Sequence, residues 1–147
     1  MKFTFKIALV LLLFSASMFP SQAEEKQKGW TKDMLEYKHD FIVKETGMSQ
    51  AQRDKFMPLY KAMEKEIYSV YRNAREQAKK VSAPNRKTND DDYINAARTM
   101  ANVKAKEGEI ENKYFEKYAK ILTKKQLFLL KQAEVKFTRQ MVSKGKR

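Results

Sequence analysis

The sequence predicts an all-α fold of four helices, and three observations carry that expectation. Only 4 Gly and 3 Pro occur among 147 residues, too little turn chemistry for a many-stranded sandwich or barrel. An apolar fraction of 42%, with 12% aromatics, is enough to build a core and excludes a disordered chain. In the longest segments the apolar positions recur in alternating steps of four and three, the period of a helix that packs on another helix.

The opening segment, MKFTFKIALVLLLFSASMFPSQA, places Lys2 and Lys6 before an unbroken apolar run from Ile7 to Phe14, followed by Pro20 and the small-residue exit Ser21-Gln22-Ala23. That is the pattern of a secretory signal peptide over residues 1–23, with cleavage after Ala23 and a single helical domain over 24–147. The apolar run is too short to span a bilayer and no Cys is present to carry a lipid, so the expected product is a periplasmic protein with no membrane span after signal cleavage. Without cysteine there are no disulfides, and stability must come from helix packing or association.

The chain carries 31 Lys+Arg against 18 Asp+Glu, a net charge of +13, of which the leader supplies only Lys2 and Lys6. Export removes nucleic acid as a partner and leaves other acidic surfaces: unfolded proteins, anionic lipids or envelope polymers.

Thr31 caps a first helix running to about Lys44, with Met34, Tyr37 and Phe41 on one side and Gly47 as its stop. Met48-Ser49-Gln50-Ala51-Gln52 opens the second: the Ser49 hydroxyl accepts the third amide of the helix while Gln52 reaches back to the Ser49 amide, a capping box. Its core stripe is Phe56, Tyr60, Met63, Ile67, Val70, Ala74 and Val81, with Gln77 as the polar slot and Pro58 bending the helix near Asp54. Ser82-Ala83-Pro84-Asn85 closes it. Asp90-Asp91-Asp92 opens the third helix, its carboxylates against the positive end of the macrodipole. This helix carries Tyr93, Ala96, Met100, Val103, Ile110, Tyr114, Tyr118 and Ile121 on one stripe to about Leu122, with Gly108 marking a weak point or a close backbone crossing. Leu122-Thr123-Lys124-Lys125-Gln126 repeats the capping box, Leu122 packing on Leu127, and opens a last helix to about Ser143.

That last helix has two apolar edges, one of Leu130, Phe137 and Met141, the other of Phe128, Val135 and Val142. One edge can pack in its own chain and the other in a second chain, which makes a homodimer the expected state; the alternative seats the second edge on the first helix.

The pair Met48-Ser49-x-x-Gln52 and Leu122-Thr123-x-x-Gln126, in a small basic exported helical chain, resembles the LTXXQ family, the Spy/CpxP group of periplasmic chaperones and stress-response proteins. The second box matches the motif fully; the first has Met for Leu and Ser for Thr. The resemblance covers the chain from about Lys38 to Met141. It implies a dimer of interlocked helical hairpins, two long helices curved into a cradle whose concave face mixes positive charge with apolar patches. It also implies ATP-independent holding of partly unfolded exported proteins, limiting their aggregation in envelope stress. The motif residues would set helix starts. Related members bind zinc, nickel or cobalt and are described as heavy-metal sensors, so the alternative is a regulatory or metal-responsive adaptor that binds a stress-sensor domain.

For a metal, His39 is the single histidine, with Glu36 and Asp40 its nearest carboxylates in sequence, fewer ligands than a tight transition-metal site wants; a satisfied or solvent-facing His is the favoured reading. For clients, the helical wheel places Met57, Lys61, Tyr68, Tyr71, Arg72, Arg75 and Lys79 on one flank of the second helix, with Glu64 as its one acid. Met and Tyr offer adaptable apolar contact, while Lys and Arg speed encounter with acidic chains. The alternative packs Tyr68 and Tyr71 on the first helix. No Cys nucleophile, Ser partner for His39, Gly-rich phosphate loop or metalloprotease motif is present, so neither an enzyme nor a cofactor is expected.

Overall fold

The computed structural model describes residues 31–144; the predicted signal peptide and the polar stretch after it lie outside the described residues. The fold is all-α: α1 (Lys32–Thr46), α2 (Gln50–Val81), α3 (Asp90–Ala101), α4 (Val103–Tyr118) and α5 (Lys124–Lys144). The third predicted helix is thus divided at Asn102, yet the backbone ladder runs through. The Asn102 amide donates to the Arg98 carbonyl at 3.0 Å, and its own carbonyl accepts from the Lys106 amide at 3.0 Å. This rod ends at Tyr118, earlier than expected, because Ala119–Ile121 turn the chain and Leu122 enters the core ahead of the next cap.

Local chemistry fixes each boundary. Thr31 Oγ1 accepts the Met34 amide at 3.3 Å. α1 continues to Thr46, whose hydroxyl donates to the Ile42 carbonyl at 2.8 Å. Gly47 then takes φ 62°, a conformation that suits glycine, and its amide and that of Met48 turn back to Lys44 and Val43. α2 runs unbroken through Pro58. Asn89 Oδ1 accepts the Asp92 amide at 2.8 Å, so the acidic triplet lies in the first turn of α3 as predicted.

α2 lies antiparallel to α4 and α3 as one long hairpin: the Phe56 ring meets that of Tyr118 at a tilt, 4.8 Å between centroids, and further along Tyr71 reaches Glu107. α1 packs along α5, Phe41 and Tyr37 meeting Phe137 at 5.7 and 5.8 Å between ring centroids. The core sits where both pairs meet. Ile42, Phe56, Tyr60, Met63, Tyr114, Tyr118, Leu122, Leu127, Leu130 and Ala133 form one buried cluster, to which both Leu122 and Leu127 belong.

Three expectations about faces need correction. The buried face of α1 is His39, Ile42 and Thr46, while Met34 and Tyr37 stay exposed because α5 covers only one edge of the helix. Tyr93 and Met100, placed on the core stripe, are exposed, because beyond the base only α2 and α3 face each other and no third helix covers them. Among the described residues nothing approaches Gly108 within 4 Å of where a Cβ would stand, so none of their backbone crosses there. α1 occupies the Leu130/Phe137 edge of α5, and the Phe128/Val135 edge is left exposed, which removes the alternative of seating that edge on α1.

The two capping boxes do more than start helices. Ser49 Oγ and Thr123 Oγ1 accept the Gln52 and Gln126 amides, both at 3.2 Å, and each Gln Oε1 accepts its cap residue's amide at 3.0 Å. The two glutamines also bind each other across a sequence separation of 74, Gln52 Nε2 to Gln126 Oε1 at 2.8 Å and Gln126 Nε2 to Gln52 Oε1 at 3.0 Å. Gln52 Nε2 further donates to the Ile121 carbonyl at 3.1 Å and Gln126 Nε2 to the Gly47 carbonyl at 3.3 Å. Gln52→Ala or Gln126→Ala is expected to cost about 1–3 kcal/mol of unfolding free energy by strand-free, part-buried donors and acceptors losing their partners. In denaturant melts the double variant should cost about 0.5–3 kcal/mol less than the two single losses added; strict additivity would show that the two boxes act independently.

Candidate functional site

The flank of α2 read as a binding surface divides in the structure. Lys61, Tyr68, Arg72 and Lys79 are exposed, Tyr68 by 58%. Met57 is half-buried against the core cluster, so it supports the flank more than it presents it.

Tyr71 is also drawn inward, and its partner is α4, not α1. Its hydroxyl donates to Glu107 Oε2 at 2.7 Å and accepts from Lys104 Nζ at 2.7 Å, with the Lys104 ammonium also 5.5 Å from the ring centroid. Burial, followed by the Glu107 contact, raises the Tyr71 hydroxyl above its ordinary value although Lys104 opposes this, so it stays a neutral donor. Arg75 is half-buried, its Nε enclosed and without a hydrogen-bond partner among the described residues. Arg72 keeps a long contact of 3.8 Å to Glu76, one turn along the same helix.

Glu64, the one acid of this flank, is turned away toward α1. Its carboxylate takes Lys38 Nζ at 2.7 Å and His39 Nε2 at 2.7 Å. His39 is therefore a buried, satisfied histidine, its ring edge-on to Tyr60 at 5.9 Å. The carboxylates nearest to it in sequence are engaged elsewhere, Glu36 with Lys32 at 3.8 Å and Asp40 with Arg53 at 2.8 Å. Among the described residues no group of three or more His, Asp or Glu side chains is arranged to hold a metal ion.

Two consequences follow for the electrostatics of α2. With Glu64 committed inward, the outer part of the flank shows Lys61, Arg72 and Lys79 beside an open tyrosine ring, with the exposed Glu76 against Arg72. On the other flank Glu66 binds Lys113 and accepts the Tyr114 hydroxyl at 2.6 Å, so that acid is likewise consumed in the seam between α2 and α4. Sequence reading missed Glu64's turn to α1 and the Glu66 seam. The one available signal was spacing: both carboxylates lie beside the core stripe of α2, within reach of a neighbouring helix.

Such a surface offers an apolar ring and long-stemmed cations to an acidic or partly apolar chain. Among the described residues no helix is long and apolar enough to cross a membrane. Comparison with known proteins returned no matching family model, no similar curated protein and no similar solved structure.

The Glu64 contact makes the docking of α1 acid-sensitive. Burial alone would raise this carboxyl, but the His39 hydrogen bond and the Lys38 charge hold it below its ordinary value of 4.5. A carboxyl depressed in the folded state adds stability that is full above the ordinary value and is lost as pH falls through the folded one. Thermal melts from about pH 3 to 7 should show Glu64→Gln about 1–3 kcal/mol less stable at neutral pH, the gap closing toward the acid end. A gap that stayed constant with pH would assign the loss to packing.

Proposed function

We propose that this chain is an ATP-independent holding chaperone of the cell envelope, working in the periplasm as a homodimer on partly unfolded exported proteins. One observation carries the reading: the exposed flank of α2 combines Tyr68 with Lys61, Arg72 and Lys79, while Glu64 is bound inward by Lys38 and His39 and Glu76 keeps only a long contact to Arg72. Unfolded chains present apolar segments and carboxylates together. Cations raise the encounter rate with the acidic stretches, and the open ring then provides contact that does not depend on sequence. Support from the sequence is the likeness of the twin boxes to the LTXXQ motif, in a chain that begins like a signal peptide.

In this reading capture needs no nucleotide or resident metal, and the chain performs no catalysis. Electrostatic attraction brings the client in, apolar contact retains it, and the client leaves when it folds and buries the segments that were held.

The experiment is light scattering from a thermally unfolding model client, with the protein purified from an exporting host and without nucleotide, at low and moderate salt. Near-stoichiometric protein should suppress scattering, more weakly at the higher salt, where Debye screening shortens the reach of the cations to about 8 Å. Tyr68→Ser should weaken suppression several-fold with an unchanged melting temperature, since the ring is mostly in solvent. Suppression unaffected by Tyr68→Ser would move the surface off this flank. No suppression at either salt would transfer the weight to the regulatory adaptor, with one saturable protein partner.

A further inference from the structure

The cations of the α2 flank belong to a longer row than the holding of clients calls for. Lys61, Lys65, Tyr68, Arg72, Arg75 and Lys79 follow one another in steps of four, three, four, three and four, the same rhythm as the core stripe. At about 100° per residue they fall within roughly 80° of the helix surface, so the row is straight. It carries five cations and one ring over about 27 Å, at 1.5 Å per residue. All of these side chains are exposed except Arg75, which is half-buried with its Nε enclosed and without a hydrogen-bond partner among the described residues.

The carboxylates around the row are used elsewhere. Glu64 is held by Lys38 and His39, Glu107 by Lys104 and the Tyr71 hydroxyl, and on α1 Glu36 meets Lys32 and Asp40 meets Arg53. Among the described residues no ion pair reaches Lys61, Lys65, Arg75 or Lys79. Glu76 is the one acid beside the row, 3.8 Å from Arg72 with both side chains mostly in solvent, a contact that neutralises little.

A straight row of cations on a convex helix selects a ligand by its linear charge density. Unfolded polypeptides carry carboxylates at irregular intervals, whereas a phosphate polymer carries charge at every repeat, and neutralising several neighbouring phosphates together releases their condensed counterions. Arg72 and Arg75 add planar forks that suit phosphate oxygens better than an ammonium does. A bilayer is a poor match, because Tyr68 is the only apolar body on the row that could enter it. The Tyr68 hydroxyl is also the only uncharged hydrogen-bonding group in the row, so nothing there reads a sugar or glycerol spacer between phosphates.

We propose that the α2 row from Lys61 to Lys79 binds inorganic polyphosphate, one extended polymer lying along the helix, and that this ligand competes with clients for the shared flank. The competition rests on the reading of a holding chaperone; the binding does not.

The test is fluorescence anisotropy of end-labelled polyphosphate titrated with the full mature chain over a range of salt. Five engaged cations should give a plot of log affinity against log salt with a slope of about −3.5. Lys65→Gln, Arg72→Gln and Lys79→Gln together, all at exposed positions, should keep the circular dichroism melt, weaken binding at least about tenfold at low salt and flatten the slope by roughly two. Removing the same charge from α5, by Lys124→Gln, Lys125→Gln and Arg139→Gln, should leave affinity and slope unchanged. Tyr68→Ser should likewise leave polyphosphate binding unchanged while it weakens client holding. Polyglutamate of equal total charge should bind several-fold more weakly, and saturating polyphosphate should reverse the suppression of client scattering. An equal loss from the α5 variant would assign the binding to general basicity and overturn the proposal. So would polyglutamate binding as tightly, a glycerol phosphate polymer binding more tightly, or polyphosphate that binds without displacing clients. Polyphosphate binding by a chain that suppresses no scattering would remove the holding function and leave the ligand standing; suppression with no polyphosphate binding would do the reverse.

Discussion

Two glutamine side chains, each already closing the first turn of its own helix, turn to one another and hold the starts of α2 and α5 together. Most of the remaining architecture is arranged around that meeting. Because each amide also takes the carbonyl two residues ahead of the other cap, four chain segments converge on one point: the ends of α1 and α4 and the starts of α2 and α5. From there α2 and α5 run alongside each other far enough for Tyr60 to reach Glu134, and the buried cluster fills the space they enclose with α1 and α4. A single amide has one acceptor oxygen and two donor hydrogens, and here both glutamines use the oxygen and the nitrogen fully. Glu in place of either would keep the cap but lose the donors, which is a physical reason for an amide at that position.

From this anchored end the molecule thins. Four segments pack around the cluster, and Glu64 still ties α2 to α1; toward Val81, α2 and the α3–α4 rod form a two-helix layer that buries one face of each. Small residues lie in the seam there, Ala74 and Ala96 being buried with Val103. The polar contacts of this part, Tyr71 with Glu107 and Tyr114 with Glu66, lie at the edges of the apolar seam, where water is partly excluded and a hydrogen bond fixes register.

Much of this was legible in the chain because it is local. The capping boxes, the αL glycine after α1, the acidic first turn of α3 and the core positions Phe56, Tyr60, Met63 and Ala74 follow from side chains acting within one or two turns of themselves. The capping role of Gln52 and Gln126 was readable, but their pairing depends on a juxtaposition that no spacing encodes. Tyr93 kept the helical period yet faces solvent, since periodicity reports which side of a helix is apolar and is silent on whether a neighbour reaches that far. Glu64 read as part of a surface flank because the wheel does not know where α1 will lie. For the binding flank, composition predicted its charge, and only the packing of α1 and α4 separated Tyr68 and Lys61 from Tyr71 and Met57.

The same packing decides where the excess positive charge goes. Carboxylates form the ties between helices: Glu45 joins α1 to α5, Glu64 joins α2 to α1, Glu66 joins α2 to α4, and Glu111 joins α4 to α5. The more exposed of these pairs contribute little to stability, but each draws an acid into a seam. A chain of net charge +13 that spends its carboxylates in this way presents cations on what is left of its surface, on the outer flank of α2 and on α5. Self-repulsion keeps such a molecule from associating at random and favours contact with whatever supplies negative charge. The longest acidic run, at the start of α3, stands outside this pattern: Asp92 is held by its cap and by Arg86, while Asp90 and Asp91 face solvent at the end of the hairpin farthest from the glutamine pair. Lys79, Lys80, Arg86 and Lys87 are exposed at the same end, so even the acidic run is set among cations.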